Sequence, residues 1–359
     1  MEKDTYIYGA GHYGVLTALD LEQKGIQIKG FIDKNAGKIK TRLGLPVFEL
    51  NEVISDNNNL NIIIAVQNRN AIRDVVENLQ LAGLKSGSDF NFSSIMPIKP
   101  KRNMLRFEVH LCDHCNLNCK SCGHFSPIAE KKFVDLDILE RDFKRISELS
   151  GKKCENIKLM GGEPLLHPNV IEIFNITRKY FDTTIQLATN GILLANQPNE
   201  FWESCRINNI NIFVSAYPIK INAMKIKAQA SKFGVTVELM DIEPEKKKWF
   251  KTSPDFTGCS NIEVAYSNCA YGGSCMFLED GKLAQCGLPF LTKHFNKYFN
   301  DSKYKYEEPT EDDFVDIFKI NSLDEILEKF TRAIPYCRYC TDIKEVQWGN
   351  SKREIKEWT

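Results

Sequence analysis

Short apolar runs alternate with amphipathic stretches along most of this chain, and that rhythm constrains the fold more than any other feature. "TYIYGAG" (5–11) is a strand pattern ending in glycine, followed by "HYGVLTALDLEQKG", whose apolar spacing is helical and which stops at Gly25. "IQIKGFID" and "NIIIAVQ" (61–67) read as further strands, and "NAIRDVVENLQLAG" as an amphipathic helix closing on Gly83. Strands separated by helices need crossover connections, so they pair in parallel. The Ser-, Pro- and Lys-rich stretch 85–103 interrupts the rhythm, which resumes at "MLRFEVHL" (104–111). Strands are predicted at 156–160, 183–188, 209–216 and 235–240, with helices near 135–149, 168–181 and 221–233. Beyond about residue 245 the pattern breaks into cysteines, turns and aromatics. The expected division is therefore 1–95, a linker at 96–103, a second α/β unit at 104–245 and a cysteine-rich module at 246–359.

A chain of 359 residues, 43% hydrophobic, has enough apolar material for two or three cores, and its apolar runs are too short for a membrane span. Lys plus Arg and Asp plus Glu both number 47, so no net charge argues for a nucleic-acid or membrane surface. No basic, apolar secretion signal opens the sequence. Twelve cysteines in that setting point to a reducing compartment, with metal binding or catalysis preferred over disulfides. The expectation is a cytoplasmic enzyme without a membrane span or nucleic-acid partner.

"HLCDHCNLNCKSCGH" (110–124) reads C-x2-C-x3-C-x2-C. A zinc knuckle wants two C-x2-C pairs separated by a longer loop, but only three residues lie between Cys115 and Cys119. Buried structural thiols explain one such cysteine and not four. Taking Cys115, Cys119 and Cys122 as C-x3-C-x2-C leaves Cys112 at a strand end as a structural thiol.

That segment, on the loop after the first strand of the second unit, resembles the radical S-adenosylmethionine (SAM) superfamily. The resemblance implies a partial (β/α)6 radical SAM barrel following a Rossmann-like domain. It further implies a catalytic [4Fe–4S] cluster held by Cys115, Cys119 and Cys122, with one iron left open for SAM. An electron passed to the sulfonium then releases methionine and a 5′-deoxyadenosyl radical. "MGGEP" (160–164) matches the family's segment for the methionine amino group, assigning Gly161, Gly162, Glu163 and Pro164 to SAM. "LATNG" (187–191) ends the third strand, making Thr189 and Asn190 candidates for the ribose and carboxylate region, with Ser215 after the fourth. The chain departs from the family at Ser121, where an aromatic usually touches the adenine; Phe125 and His124 are the candidate substitutes.

Later cysteines add a second theme. "CAYGGSCMFLEDGKLAQC" contains a predicted hairpin turning at Asp280-Gly281, with the spacing C-x11-G-x4-C from Cys269, and "CRYC" (337–340) follows. This resembles the auxiliary-cluster modules called SPASM and Twitch, and the absence of cysteines after Cys340 suits the one-cluster Twitch form. The implied ligands of an auxiliary [4Fe–4S] cluster are Cys269, Cys286, Cys337 and Cys340. Cys275 is an alternative to Cys269, and zinc an alternative to the cluster. Cys154 and Cys205 read as packing thiols, whereas Cys259 and Cys275 are candidates for catalysis as hydrogen-atom donors.

In the first domain "GAGHYG" (9–14) is a G-x-G-x-x-G between strand and helix, with Asp33 ending the next strand. Gly9, Gly11, Gly14 and Asp33 are thereby candidates for a phosphate-bearing ligand, NAD being one reading. "GFIDKN", "GLPVFELNEVI" and "IIIAVQNRNAIR" also resemble the N-terminal domain of nucleotide-sugar acyltransferases, which implies a nucleotide sugar. The combined expectation is a radical SAM enzyme acting on a sugar or glycan intermediate by epimerisation, dehydrogenation or dehydration. A flavodoxin- or ferredoxin-type donor would supply its electrons. The alternatives are a peptide-modifying enzyme and a noncatalytic iron–sulfur scaffold.

Overall fold

The computed structural model describes residues 3–55, 59–152, 154–215, 217–239, 248–273 and 276–359. The chain folds as two compact units, the first comprising 1–100 with 261–268 and 331–333, and the second the remainder.

The first unit contains β1 (Asp4–Tyr8), α1 (His12–Gln23), β2 (Ile28–Ile32), β3 (Thr41–Arg42), β4 (Leu45–Phe48), α2 (Leu50–Ile54), β5 (Leu60–Ile64), α3 (Arg69–Leu81) and β6 (Phe90–Phe92). Its sheet runs β3-β4-β2-β1-β5-β6, parallel throughout except for β3. Ile7 and Phe31 pack with Ala18 and Leu21 of α1 on one face, while Ile62 and Ile64 pack with Val75, Val76 and Leu79 of α3 on the other. Both faces of the parallel sheet are thus covered, as its continuous apolar strands require. The stretch expected as a linker differs: Met96 and Ile98 are buried, and Arg332 donates to the carbonyls of Ser93, Ser94 and Met96. A guanidinium satisfying three main-chain carbonyls ties residues 93–96 into the first unit, so this stretch is no free tether.

The second unit runs β7 (Leu105–Cys112), α4 (Leu136–Ser150), β8 (Cys154–Gly161), α5 (Val170–Tyr180), β9 (Thr184–Thr189), α6 (Asn199–Ile207), β10 (Ile210–Val214), α7 (Ala223–Phe233) and β11 (Val237–Leu239). Then come β12 (Lys248–Pro254), α8 (Ile262–Asn268, part of the first unit), β13 (Met276–Glu279), β14 (Lys282–Ala284), α9 (Leu288–Tyr298), β15 (Val315–Asp316), α10 (Leu323–Lys329) and β16 (Cys340–Gln347). Strands β7 to β11 pair in parallel in chain order, the arrangement of a β/α barrel wall. Five such strands lie among the described residues. On the free edge of β7 the wall is extended by β13, also parallel, and then by β14 and β15.

The cysteine-rich region therefore does not stand apart from the barrel wall. Asp142 of α4, nearly fully buried, accepts from Gly281 N at 2.7 Å and so seats the Asp280-Gly281 turn. Arg145 donates to the carbonyls of Ile317 and Ile320. Phe107 of β7 packs edge-on against Phe143 of α4 and Phe181, so alternate β7 residues face the helices.

The glycine turn after β1 generates a direct test. A Cβ on Gly14 would lie 1.9 Å from the carbonyl oxygen of Gly9, whereas one on Gly11 would meet nothing within 4 Å. Gly14 is what lets α1 approach β1. Gly14→Ala should cost about 1–3 kcal/mol by overpacking, and Gly11→Ala less than about 0.5 kcal/mol as a surface change. Thermal unfolding of the two full-length variants checks this, and equal melting temperatures would refute it.

Candidate functional site

The end of β8 approaches the loop after β7 too closely for side chains. A Cβ on Gly162 would lie 2.1 Å from the His114 carbonyl oxygen, and one on Gly161, at φ +146°, 2.3 Å from that of Cys112. The approach is closed by hydrogen bonds from Gly162 N to Cys112 O (2.8 Å) and from Glu163 N to His114 O (3.1 Å). Glu163 is 0% exposed, and burial pushes its carboxyl pKa up. Its oxygens accept from Thr189 Oγ1 (2.6 Å), Leu165 N (3.1 Å) and Asn190 N (2.9 Å), which opposes that rise. Asn190 in turn donates from Nδ2 to Asn116 Oδ1 at 2.7 Å and toward Cys115 Sγ at 3.7 Å. Ser215 N donates to Thr189 O, carrying the line of strand ends to β10.

Cys115, Cys119 and Cys122 converge here. Burial raises the Cys115 thiol to about 12, and the neighbouring Glu163, Cys122 and Cys119 add to it; the Leu117 N–H at 3.3 Å opposes. Burial likewise raises Cys122, against backbone amides of Ser126, His124 and Phe125. Cys112 is apart in role: 2% exposed, it donates to the Glu163 carbonyl at 2.9 Å, the bonding of a structural thiol. A second thiol set forms where β14 meets α9. Cys286 is raised by burial and then by Cys269, Cys340 and Cys337. Cys337, pushed to about 12 by burial, accepts from Gln285 Nε2 at 3.3 Å, and Cys269 accepts from Gly272 N at 3.1 Å.

Among the described residues no three His, Cys, Asp or Glu side chains stand close enough to bind one metal ion directly. Neither thiol set is spaced for a single tetrahedral zinc. Burial raises Cys115 and Cys122 in the first set and Cys286, Cys337 and Cys340 in the second, and N–H donors reach Cys115, Cys119, Cys269 and Cys337. A multi-iron cluster, whose positive charge stabilises thiolates and whose sulfurs take hydrogen bonds, would fit such donors.

A profile of the Radical SAM superfamily matches residues 109–230, which span β7 to α7 and include all three thiols of the first set. Over that span the chain is similar to radical SAM domains. Among curated proteins, it is 32% identical over 121 residues to "GTP 3′,8-cyclase" of Clostridium perfringens (strain SM101 / Type A), covering 33% of this chain and 36% of that one. To "GTP 3′,8-cyclase" of Chlorobaculum tepidum it is 37% identical over 84 residues, 23% of this chain and 24% of that one. The chain thus spans about a third or less of these relatives' length. Among solved structures, BtrN in complex with AdoMet and 2-DOIA aligns with a TM-score of 0.41 and 15% identity, covering 68% of this chain and 95% of that one.

Two aromatic residues beside the first thiol set were not legible in the sequence. Tyr217, just past β10, is raised well above its ordinary value by burial and by Cys119, Cys122, Cys115 and Glu163. Trp348, just past β16, donates from Nε1 to Cys119 Sγ at 3.4 Å and has its ring 6.4 Å from that of Tyr217. No local motif marks either. Phe125, one of the two candidates to replace the missing aromatic at Ser121, is 3% exposed and packs with Phe295, Tyr306 and Trp358, a core position. His124 lies edge-on to His110 at 4.9 Å. Of the candidate hydrogen donors, Cys259 is exposed, and Cys275 lies outside the described residues. In the first unit Gly9 and Gly11 lie between β1 and α1, and Asp33 Oδ2 accepts from Ala10 N at 2.9 Å, directing its carboxylate at the glycine turn.

The face of the β7–β11 sheet turned away from its helices carries polar side chains on β7 and β8. Glu108, His110 and Lys158 alternate with Phe107, Val109, Ile157 and Leu159, which pack in the helix-covered core. Burial raises Glu108 to about 7, against the charges of Lys158 and Arg106. Burial, His110 and Lys158 depress His124 to about 3. Asp113 contacts His110 at 3.6 Å and His294 at 3.3 Å; burial raises its carboxyl, but the two imidazoles hold it well below the usual range.

Glu108 carries a signed prediction. Its folded pKa lies above the unfolded one, so between about pH 4.5 and 7 the folded state retains a proton that the unfolded state has lost. Stability contributed by this group is lost as pH rises through that window, by at most about 3 kcal/mol. Glu108→Gln should therefore gain stability over the wild type from pH 5 to 7.5 in urea titrations. A pH-independent difference would show that Glu108 is ionised in the fold.

Proposed function

We propose that this chain is a radical SAM enzyme that abstracts hydrogen from a sugar, nucleotide sugar or glycan intermediate. In this reading Cys115, Cys119 and Cys122 hold the catalytic [4Fe–4S] cluster. Gly161 to Pro164, Thr189, Asn190 and Ser215 surround SAM, and Cys269, Cys286, Cys337 and Cys340 hold an auxiliary cluster. The observation that carries it is the gathering of three thiols, Glu163, Asn190 and Tyr217 at the carboxyl ends of adjacent parallel strands, where β/α barrels build their sites. When bound, the cluster and SAM supply one-electron cleavage of the sulfonium and a 5′-deoxyadenosyl radical. The chain's own residues do the rest. Glu163 fixes Asn190 through its main chain, and Asn190 orients the Asn116–Cys115 turn.

A polar substrate is favoured by the ionisable side chains on the sheet face turned from the helices, Glu108, His110 and Lys158, with His124 beside His110. A nucleotide-bearing one is favoured by the glycine turn of the first unit, with open space above Gly11 and Asp33 directed at it. The cyclases that share part of the sequence act, by their name, on a nucleotide; the matched third does not carry their substrate across. Exposure of Cys259 makes it a poor enclosed hydrogen donor, which leaves Cys275 as the candidate for the thiol route.

Two outcomes are expected. Anaerobically reconstituted protein should bind about eight irons, about four per cluster. Replacing Cys115, Cys119 and Cys122 together by Ala should halve that and abolish 5′-deoxyadenosine release on reduction with dithionite. Iron loss without any loss of SAM cleavage would refute the assignment. Separately, UDP or another nucleotide diphosphate should raise the melting temperature of the full chain, and Gly11→Val should erase the rise. If no nucleotide shifts the wild type, the first unit has no such site.

A further inference from the structure

The loop that carries Cys115, Cys119 and Cys122 has no helix or strand of its own, and Ser121 within it sits at φ +57°. A three-cysteine loop of that kind needs an external frame to hold its sulfurs in one arrangement. Residues 348–358 provide it. Strand β16 begins at Cys340 of the second thiol set and ends at Gln347, so it delivers the following residues to the first set. From there Lys120 N donates to Gly349 O (2.8 Å), Ser351 N to Asn118 O (2.7 Å) and Asn118 Nδ2 to Ser351 O (2.6 Å). Cys119 and Asn350 form an antiparallel bridge. Further along, Ser121 Oγ donates to Glu357 O (2.6 Å) and Trp358 Nε1 to Cys122 O (2.9 Å).

The frame is itself rigid. Glu357, 3% exposed, accepts from Ser351 Oγ and from Lys352 N, and the Trp358 ring packs against Phe125 and Phe299. These contacts also account for the departure at Ser121. That side chain is 4% exposed and spent on the Glu357 carbonyl, in a space that a large ring would overfill.

One contact of this segment reaches a sulfur directly. Trp348 Nε1 donates to Cys119 Sγ at 3.4 Å from a half-buried position. An N–H aimed at a cluster thiolate stabilises the more negative, reduced state and so raises the reduction potential. We propose that residues 348–358 are a built-in part of the cluster site: Ser351, Glu357 and Trp358 seat the cysteine loop, and Trp348 is a positioning residue that tunes the potential through Cys119. This rests on the reading that Cys115, Cys119 and Cys122 hold the cluster.

The test is an EPR-monitored redox titration of the reconstituted full-length protein, with the Cys115/Cys119/Cys122→Ala variant identifying the signal that belongs to this site. If that variant and the wild type give the same iron content and spectra, the underlying cluster assignment fails, and the inference fails with it. Given a cluster there, Trp348→Phe should make its reduction about tenfold less favourable, which is about 59 mV lower for one electron. The second cluster should be unmoved. Trp358→Phe removes a bond to a carbonyl and not to a sulfur. It should leave the potential in place while speeding iron loss to a chelator. Should Trp358→Phe lose iron from this site alone, with circular dichroism unchanged, the seating role is upheld, and iron retention equal to wild type overturns it. An unchanged potential and unchanged iron retention in Trp348→Phe overturn the tuning role. Equal shifts in both tryptophan variants overturn it as well, since loop seating alone would then explain them.

Discussion

The site depends on one buried carboxylate. Glu163 lies where β8 ends, entirely out of water, and an unpaired carboxylate there would be strongly unfavourable. It is tolerated because Thr189, Leu165 and Asn190 donate to it, and two of those three donors come from the end of β9. The same bonds fix Asn190, whose side chain reaches Asn116 and Cys115. A single polar group thus links two strand ends to the loop of a third, and the glycine pair before it lets that loop come within hydrogen-bond reach. Losing one partner of such a network leaves the others buried and unsatisfied, which is why its parts act together.

The cysteine loop is held from two sides by different means. On the barrel side the constraint is steric and local, through strand ends in register. On the other side it is a run of hydrogen bonds from a segment more than two hundred residues later, ending in a tryptophan packed among aromatics. Cys340 of the second thiol set begins the strand that leads into this segment. The two cysteine sets are therefore mechanically connected through β16 as well as chemically alike.

Outside the cysteine loop, the chain distributes polar and apolar character by strand alternation. Residues at one parity of β7 and β8 fill the aromatic and aliphatic core under the helices, and those at the other parity present Glu108, His110 and Lys158. Burial then drives Glu108 upward and His124 downward, favouring the neutral form of each. In the first unit the glycine turn works by a similar division of labour, with Gly14 committed to helix packing and Gly11 left facing open space.

Sequence alone determined whatever depends on local periodicity and short spacing. The two α/β rhythms, the hairpin at Asp280-Gly281, the C-x3-C-x2-C loop and the glycine turn all follow from contacts between residues near one another in the chain. It also placed Cys269, Cys286, Cys337 and Cys340 in one group, though only by resemblance. What it could not determine are pairings set by long-range closure. Burial of Met96 and Ile98 with the first unit, the joining of β13 to β7, and the commitment of Phe125 to a core of distant aromatics leave no local pattern. Tyr217 and Trp348 are ordinary residues after strands until the fold brings them to the cysteines. Local geometry is written in neighbouring side chains, whereas a contact across two hundred residues exists only once the sheet has closed, and only tertiary structure decides it.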